Sequence, residues 1–407
     1  MVDLSGDVTQ TSVLRAVGVH GPITRTDLAR RLGVSAGTIT GVTRELIEFG
    51  LLESVGKVQG DGRGRPAELL ALAAGSAQTV GAKVTDTQVI GMVADLIGNV
   101  LGEFVEPFDP RVDDPCASLE KILASHMGDG PGPFLGVGLG VPGMVDSLGG
   151  GTVTAPTLGW SGLAVGAALQ EQLGLPVIVE NDVHTLSVAE SLYGRGREID
   201  DFLTVTIGRG IGLGIVAGGE LHRGARGGAA ELGHTQVLTD GPHCECGRRG
   251  CLESLASEPA LVRSARSAGL IDLDAGIVAL RELARAGEPN ARAIFLDAGH
   301  HLGRSVAMVV NLLAPELVIV SGEGTDSWDL MEPGFTATYT EGRLPFHADV
   351  PVVMDPWEDL NWARGAVSLL TRTLFSPSSG DSVERWVRSR LAPANDTHRL
   401  EVGADGR

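Results

Sequence analysis

Apolar residues recur at a helical spacing through the N-terminal part of the chain and then pass into two short strand-like runs. From Gln10 to His20, Val13, Leu14 and Val17 share one face, and Gly21-Pro22 ends the run. Thr24 or Thr26 can cap a second helix through Leu32, with Leu28, Ala29 and Leu32 inward and Gly33 as its stop. Ser35 caps a third helix to about Phe49, with Ile39, Val42, Leu46 and Phe49 on one face. Leu51–Val58 and Glu68–Leu72 then read as strands around the glycine-rich GDGRGRP. The pattern predicts a module over residues 1–75.

Beyond Gly75-Ser76 the pattern changes to strands mixed with helices. Thr79–Val84, Val89–Asp95 and Val100–Phe104 read as consecutive strands, Leu119–His126 as a helix, and Phe134–Val141 as a glycine-studded strand. Helix Leu163–Leu173, strand Val177–Val179 and helix Val183–Tyr193 follow. A second set comprises strands Phe202–Ile207 and Gly214–Ala217, helices Pro259–Ala268 and Ala291–Leu312, strand Leu317–Val320 and helix Trp362–Phe375. Strands and helices repeated in two halves predict α/β lobes with a cleft. Lobe I is placed at about 76–182 plus helix 362–375, and lobe II at about 183–361. Residues 376–407 form a polar tail, expected to be mobile apart from a short helix over Val383–Leu391.

Composition sharpens this picture. With 407 residues, 43% hydrophobic and 20% charged, large cores are possible and global disorder is excluded. The net charge of −19 is uneven: residues 1–70 hold 8 Lys+Arg and 8 Asp+Glu, so the excess acid lies entirely beyond them. An acidic body repels nucleic acid, so DNA contact belongs to the neutral N-terminal part. No run of ~18 apolar residues predicts a membrane span. The opening MVDLSGDVTQ lacks the regions of a signal peptide, and with reduced cysteines this points to the cytoplasm.

Leu32-Gly33-Val34-Ser35 is the short turn of a helix-turn-helix, and the third helix would lie in the major groove. Its outward face carries Ala36, Gly37, Thr40, Gly41 and Arg44. Ser35 and Thr38 suit phosphate contacts, and Arg44 suits bidentate contact with guanine. The hairpin reads as the wing of a winged helix, with Arg63 and Arg65 fitted for a narrow minor groove. A three-helix bundle for protein contact, with a solvated hairpin, is the alternative.

Three of the four cysteines, Cys244, Cys246 and Cys251, fall within ELGHTQVLTDGPHCECGRRGCLE at 231–253, together with His234. One imidazole and three thiolates are a ligand set zinc prefers, and four protein ligands make a closed, structural site. Ordinary buried or reactive thiols are the alternative; a Cys244–Cys246 disulfide would need a strained, very short loop. Glu231 and Glu253 flank the cluster. Glu180-Asn181-Asp182 ends a strand and opens a helix. Asp182 there can accept a proton from a hydroxyl, or Asn181 or Asp182 can simply cap the helix. Carboxylates, amide and imidazole together suit a polyhydroxylated ligand.

Pro142-Gly143, END at 180–182, ELGH at 231–234 and CECGRRGCLE at 244–253, behind a winged helix, resemble the ROK family of repressors, open reading frames and sugar kinases. The resemblance spans about residues 10–375. It implies an actin-like, ribonuclease-H-like two-lobed body with sugar in the cleft. It also implies that Gly143, Asn181, Asp182, Glu231, His234 and Glu253 hold the sugar, that Asp182 is the catalytic base if the chain is a kinase, and that His234, Cys244, Cys246 and Cys251 hold zinc. His234 can serve both, with one ring nitrogen on the metal and the other on a hydroxyl.

Departures from the kinase pattern set the functional expectation. The kinases open the body with D-x-G-G-T-K, whereas here the stretch is Lys83-Val84-Thr85-Asp86-Thr87-Gln88. Its acid has become a lysine, and Asp86 would repel phosphate. Arg209 stands among Gly208, Gly210, Gly212 and Gly214 where kinases carry threonine, Ser321-Gly322-Glu323-Gly324 replaces a glycine turn, and Thr157 replaces a sugar-binding asparagine. The expectation is a sugar-responsive regulator, a repressor of homodimeric or homotetrameric form. Its partners would be operator DNA and a sugar or sugar phosphate, with no kinase activity. An ATP-dependent sugar kinase carrying a DNA-binding domain is the alternative.

Overall fold

The computed structural model describes residues 8–59, 66–128, 130, 132–147, 150–355, 360–375 and 382–391. The chain forms two compact units, Met1–Leu192 with Trp362–Arg407, and Tyr193–Asn361.

The first unit begins with α1 (Val8–His20), β1 (Ile23–Thr24), α2 (Arg25–Leu32), α3 (Ala36–Glu48), β2 (Leu52–Val58) and β3 (Ala67–Leu72). The Thr24 hydroxyl, rather than that of Thr26, caps α2 by accepting the Asp27 N–H at 3.2 Å. Gly33 ends that helix in the left-handed region at φ 66°, and Ser35 caps α3 by accepting the Thr38 N–H at 3.1 Å. Val13, Leu14, Val17, Leu28, Ile39, Leu46 and Leu70 form the buried centre. The Arg25 guanidinium ties the parts together, donating to the Thr43 hydroxyl at 2.8 Å and to Glu68. The Arg25 bond, with one from Ser54, holds the Glu68 carboxyl below its usual range. β1 was not foreseen. It is two residues long, too short to show alternation, yet it pairs with β3 to give the order β1-β3-β2.

The rest of this unit is built on β4 (Gln78–Val84), β5 (Gln88–Asp95), β6 (Val100–Pro107), α4 (Pro115–Ser125), β7 (Phe134–Val141), β8 (Met144–Asp146), β9 (Thr152–Ala155), β10 (Trp160–Ala164), α5 (Val165–Leu173), β11 (Val177–Asn181) and α6 (Asp182–Tyr193). β4, β5 and β6 form an antiparallel meander, and β7 and β11 extend it in parallel, giving β11-β7-β4-β5-β6. One core includes Val80, Val137, Leu139, Leu119 and Leu123.

The second unit repeats this plan with β12 (Phe202–Ile207), β13 (Ile211–Ala217), β14 (Glu220–Leu221), α7 (Glu253–Ala256), α8 (Glu258–Ser267), α9 (Ile277–Arg285), α10 (Pro289–Leu313), β15 (Leu317–Ser321), α11 (Trp328–Gly342) and β16 (Val352–Met354). Its sheet order is β14-β13-β12-β15-β16, with β12–β14 antiparallel and β15 and β16 parallel to β12. Numbered within each sheet, both units have the strand order 3-2-1-4-5, the duplicated ribonuclease-H-like plan of actin-like proteins. Val205, Leu213, Phe295, Leu302, Val320 and Phe335 lie in its core.

The remaining helices are α12 (Leu360–Phe375) and α13 (Ser382–Ser389). Helix α12 crosses the first sheet where β4 and β7 each carry a glycine. A methyl at Gly81 would lie 2.4 Å from the Ala363 carbonyl oxygen, and one at Gly138 would lie 1.8 Å from that of Ala366. At the other end of α12, Phe375 lies 3.2 Å from the place of a methyl on Gly18 of α1. α13 is the short helix expected over Val383–Leu391 within the polar tail. It docks on the first unit: Val387 is buried, and Arg390 donates to the Phe134 carbonyl at 2.9 Å.

Other differences have similar causes. Leu163 and Ala164 end β10 rather than opening a helix, because Ala164 pairs with Thr152. α11 was missed because Pro333, Gly334 and Gly342 punctuate it. Gly334 is required by close approach, since a methyl there would lie 2.1 Å from the Leu296 carbonyl of α10.

Two glycine substitutions should therefore move stability in opposite directions. Gly138→Ala overpacks the α12 contact and should cost about 1–3 kcal/mol. Gly41→Ala meets nothing within 4 Å in α3 and should gain up to about 1 kcal/mol of helix propensity. Urea unfolding of the full chain reads both; a shift of the same sign for the two variants would show the packing argument to be wrong.

Candidate functional site

The cysteine stretch is folded by its own turns. The Cys244 N–H donates to the Arg248 carbonyl at 2.8 Å and the Gly247 N–H to the Cys244 carbonyl at 3.0 Å, so both ends of C-E-C-G face one point. Gly247 at φ 85° and Gly250 at φ 67° make the reversals possible. Gln236 bridges to Cys251, and the Leu252 N–H donates to the Thr235 carbonyl at 3.0 Å, which brings the His234 segment alongside. His234, Cys244, Cys246 and Cys251 then place their donor atoms within 4.8 Å of one another.

Two distances test whether this set fits a metal. Cys244 Sγ lies 3.5 Å from His234 Nδ1, and Cys246 Sγ lies 3.7 Å from Cys251 Sγ. A zinc tetrahedron with Zn–S of ~2.3 Å and Zn–N of ~2.0 Å has S···N and S···S edges of about 3.5 and 3.8 Å. The sulfurs are far beyond the ~2.05 Å of a disulfide, and all four cysteines are free. The cluster can hold a metal ion. Burial pushes the Cys244 thiol up to about 12. At Cys246 burial is outweighed by hydrogen bonds from the Arg248 backbone and side chain, which pull that thiol down to about 6. With Nδ1 turned to the thiols, His234 keeps Nε2 for a second partner.

Glu231 sits at the head of the short turn Leu232–His234, where the His234 N–H donates to the Glu231 carbonyl at 3.1 Å. Ala230 just before it has φ 65°, an uncommon conformation for a residue with a side chain. Glu253 opens α7, and its Oε2 accepts the Ile211 N–H at 3.2 Å. Glu323 Oε1 accepts the Arg209 N–H, also at 3.2 Å. Two carboxylates therefore hold two backbone donors of the 208–211 turn. Glu258 is nearby: its own N–H donates to the Gly208 carbonyl, and its carboxyl is raised by burial and by the charge of Glu323. The surroundings of this turn are acidic.

In the first unit the β11–α6 junction is organised around Glu180, which is fully buried. Its carboxylate accepts from the Ser147 hydroxyl at 2.9 Å and the Asn181 N–H at 3.0 Å, and lies 3.1 Å from His184 Nδ1. Asn181 bridges two segments. Its Nδ2 donates to the Gly143 carbonyl at 2.9 Å, and its Oδ1 caps α6 by accepting the His184 N–H at 3.1 Å. Gly143 is at φ 86°, and a methyl there would lie 2.5 Å from the Thr154 carbonyl. Asp182 Oδ1 accepts the Val183 N–H at 3.0 Å, while Oδ2 lies 3.1 Å from Lys83 Nζ; both side chains are 15% exposed. The same ammonium lies 3.5 Å over the centre of the Trp362 ring.

The α3 surface keeps Ser35, Thr38, Thr40 and Arg44 exposed. The Ser35 and Thr38 hydroxyls are 2.8 Å apart, and Thr40 donates to the Ala36 carbonyl at 2.7 Å. Arg44 lies 3.8 Å from Glu48 with 71% of its side chain exposed. Arg63 and Arg65 lie outside the described residues.

Sequence reading brought Gly143, Asn181 and Asp182 to one junction and the metal set to one cluster. It missed Lys83 as the partner of Asp182, the Ser147–Glu180–His184 network, and Glu323 as the occupant of an amide. The four-residue spacing of Glu180 and His184 was a usable signal. Lys83 and Asp182 meet only through sheet pairing, which no local spacing displays.

Comparison with known proteins agrees with this geometry. The ROK family model matches residues 117–372, and a MarR family model matches residues 4–64. The chain is 27% identical over 391 residues to the DNA-binding transcriptional dual regulator NagC of Escherichia coli K12, covering 92% of this chain and 95% of that one. A solved ROK family transcriptional regulator, a homologue of the E. coli MLC protein, has a TM-score of 0.78 and 26% identity, covering 94% of this chain and 98% of its own. A ROK glucokinase from Streptomyces griseus, solved with glucose and AMPPNP, has a TM-score of 0.61 and 28% identity, covering 72% of this chain and 98% of its own. The chain belongs to the ROK family, as one of its transcriptional regulators with a MarR-type winged helix ahead of the ROK body.

Proposed function

We propose that the protein is a sugar-responsive repressor that binds operator DNA and senses a sugar or sugar phosphate without phosphorylating it. Residues 1–75 form the DNA-reading domain and residues 76–375 the sensing body. Likeness to NagC over 92% of the chain supports DNA binding. Ser35, Thr38 and Thr40 engage phosphate and sugar of the DNA, Arg44 reads a base, and Arg63 and Arg65 enter the minor groove. The chain acts as a homodimer or homotetramer on a palindromic site. Its place is the cytoplasm. Among the described residues no helix is long and apolar enough to cross a membrane.

Hydroxyl partners for the effector are Asn181 and Asp182, placed by Gly143, and Glu231, His234 and Glu253. Zinc on His234, Cys244, Cys246 and Cys251 is structural, since four protein ligands leave no open position. It fixes the His234 ring and the segments carrying the two glutamates.

The observation that carries the non-enzymatic reading is the Lys83 ammonium against Asp182. That lysine stands where the kinase loop carries its acid, and its contact occupies one oxygen of the Asp182 carboxylate. The occupied Arg209 and Ile211 amides add to this, since phosphate binding at a glycine turn uses such donors. Retention of Asp182 and likeness to the glucokinase favour the second reading, an ATP-dependent sugar kinase with a DNA-binding domain.

Three outcomes are expected. With an operator selected from random DNA, Arg44→Ala should weaken binding by about 10- to 100-fold and relax one base position, whereas the Arg63/Arg65 double alanine should weaken all sequences and flatten the salt dependence. Equal binding by wild type and both variants would remove the winged helix from DNA recognition. Cys246→Ser should lose zinc, measured by metal analysis, together with the effector response; loss of zinc with unchanged effector affinity would disprove the coupling. A coupled assay with ATP and a panel of hexoses should show no turnover, and turnover abolished by Asp182→Asn would instead establish the kinase reading. A 100-fold change in operator affinity on effector binding requires a preference of about 2.7 kcal/mol for one state.

A further inference from the structure

We propose that Lys83 is a ligand-reading residue, and that with Asp182 it forms a donor–acceptor pair gripping one hydroxyl of a neutral sugar. This rests on the sugar-sensing reading above and narrows its ligand class.

The geometry leaves capacity on both partners. Asp182 accepts the Val183 N–H on Oδ1 and faces Lys83 on Oδ2. An ionised carboxylate offers about four lone-pair directions, so each oxygen retains one. Lys83 has three N–H donors. One is directed to Asp182, and the Trp362 face covers another side of the ammonium. The third donor has neither as its partner, and with the pair 3.1 Å apart it is within reach of a group that also bonds Asp182. A hydroxyl is both donor and acceptor, so it can donate to Asp182 and accept from Lys83 at once.

Charge selects among ligands. The two side chains are only 15% exposed, so water screens the pair weakly. A phosphate oxygen can accept from Lys83 but, with no proton to give, faces the Asp182 charge; a divalent cation can pair with Asp182 but faces the ammonium. A neutral hydroxyl meets neither penalty. A site built to bond a hydroxyl also discriminates sharply against an analogue that lacks it, because both buried partners are then left short. The Trp362 ring and the ion pair hold the ammonium in place before ligand arrives, which limits the ordering cost of binding.

The test is calorimetric titration of the full chain with N-acetylglucosamine, D-glucose, D-xylose, glucose 6-phosphate and N-acetylglucosamine 6-phosphate. At least one neutral sugar should bind, and more tightly than its phosphate. Lys83→Met should weaken that sugar by roughly 100-fold, and Lys83→Arg should restore most of the loss. Circular dichroism confirms that each variant is folded. If Lys83→Met does not fold, the monodeoxy analogues of the binding sugar decide on the wild type: one of them should lose a similar factor, and a flat series would overturn the proposal. Unchanged affinity in folded Lys83→Met, or tighter binding of a phosphate, would overturn it while leaving sugar sensing intact. A wild type that binds none of these sugars would remove the sugar reading itself, and this proposal with it.

Discussion

The close approach of α12 to the first sheet is the contact on which the first unit depends. A helix cannot come within carbonyl distance of two strands unless both lack a Cβ at the crossing, and Gly81 and Gly138, paired in register, meet that condition. The chain leaves this unit after α6 and returns only with α12, so the glycine crossing is where the two parts are joined. It also fixes both ends of the helix. Trp362 is set over Lys83 at one end, and Phe375 is packed against Gly18 of α1 at the other. Sixteen residues of helix, about 24 Å, are thus in contact with an ion pair of the candidate sugar site and with the core of the winged helix.

Charge is distributed to match. In a kinase-like body, a glycine turn offers backbone donors to phosphate, and a carboxylate is kept available to take a proton. Here the chain supplies its own partners for both. Glu253 and Glu323 take the amides of Ile211 and Arg209, and Lys83 takes a lone pair of Asp182. Glu258, raised by burial and by Glu323, adds to an environment that disfavours anions. These three pairings are satisfied within the protein, so each stabilises the state that carries no ligand.

Much of this was legible in the sequence, for reasons that can be located. Helix caps are local chemistry, so Ser35 and Gly33 announced α3 and the end of α2. Ligand types at short spacing announced the metal cluster, and the structure added only that its edges match a tetrahedron. What stayed hidden depends on partners distant in sequence. β1 exists because β3 pairs with it, α11 because glycines on two helices let their backbones meet, and the Lys83–Asp182 pair because β4 and α6 are brought together through β7. A substitution such as lysine for an acid can be read as a loss from sequence alone. Only the fold shows what the new side chain does.

Two different devices hold the candidate ligand groups, and their physics differs. In the second unit, His234 belongs to a His–Cys cluster that can hold a metal ion, and the strength of such a cluster depends on thiolates and on metal supply. In the first, Asn181 and Asp182 are held by a metal-free network: Glu180, with no exposure, takes three donors or partners from Ser147, Asn181 and His184. A buried carboxylate with that many hydrogen-bonding partners tolerates neither rotation nor loss of one of them, because any bond left unmade is costly without water. The amide of Asn181 is further tied to Gly143 and to the first turn of α6. Removing metal should therefore loosen the His234 side while leaving the Asn181–Asp182 geometry intact, which separates the two contributions to recognition in a way that the protein's family membership alone does not.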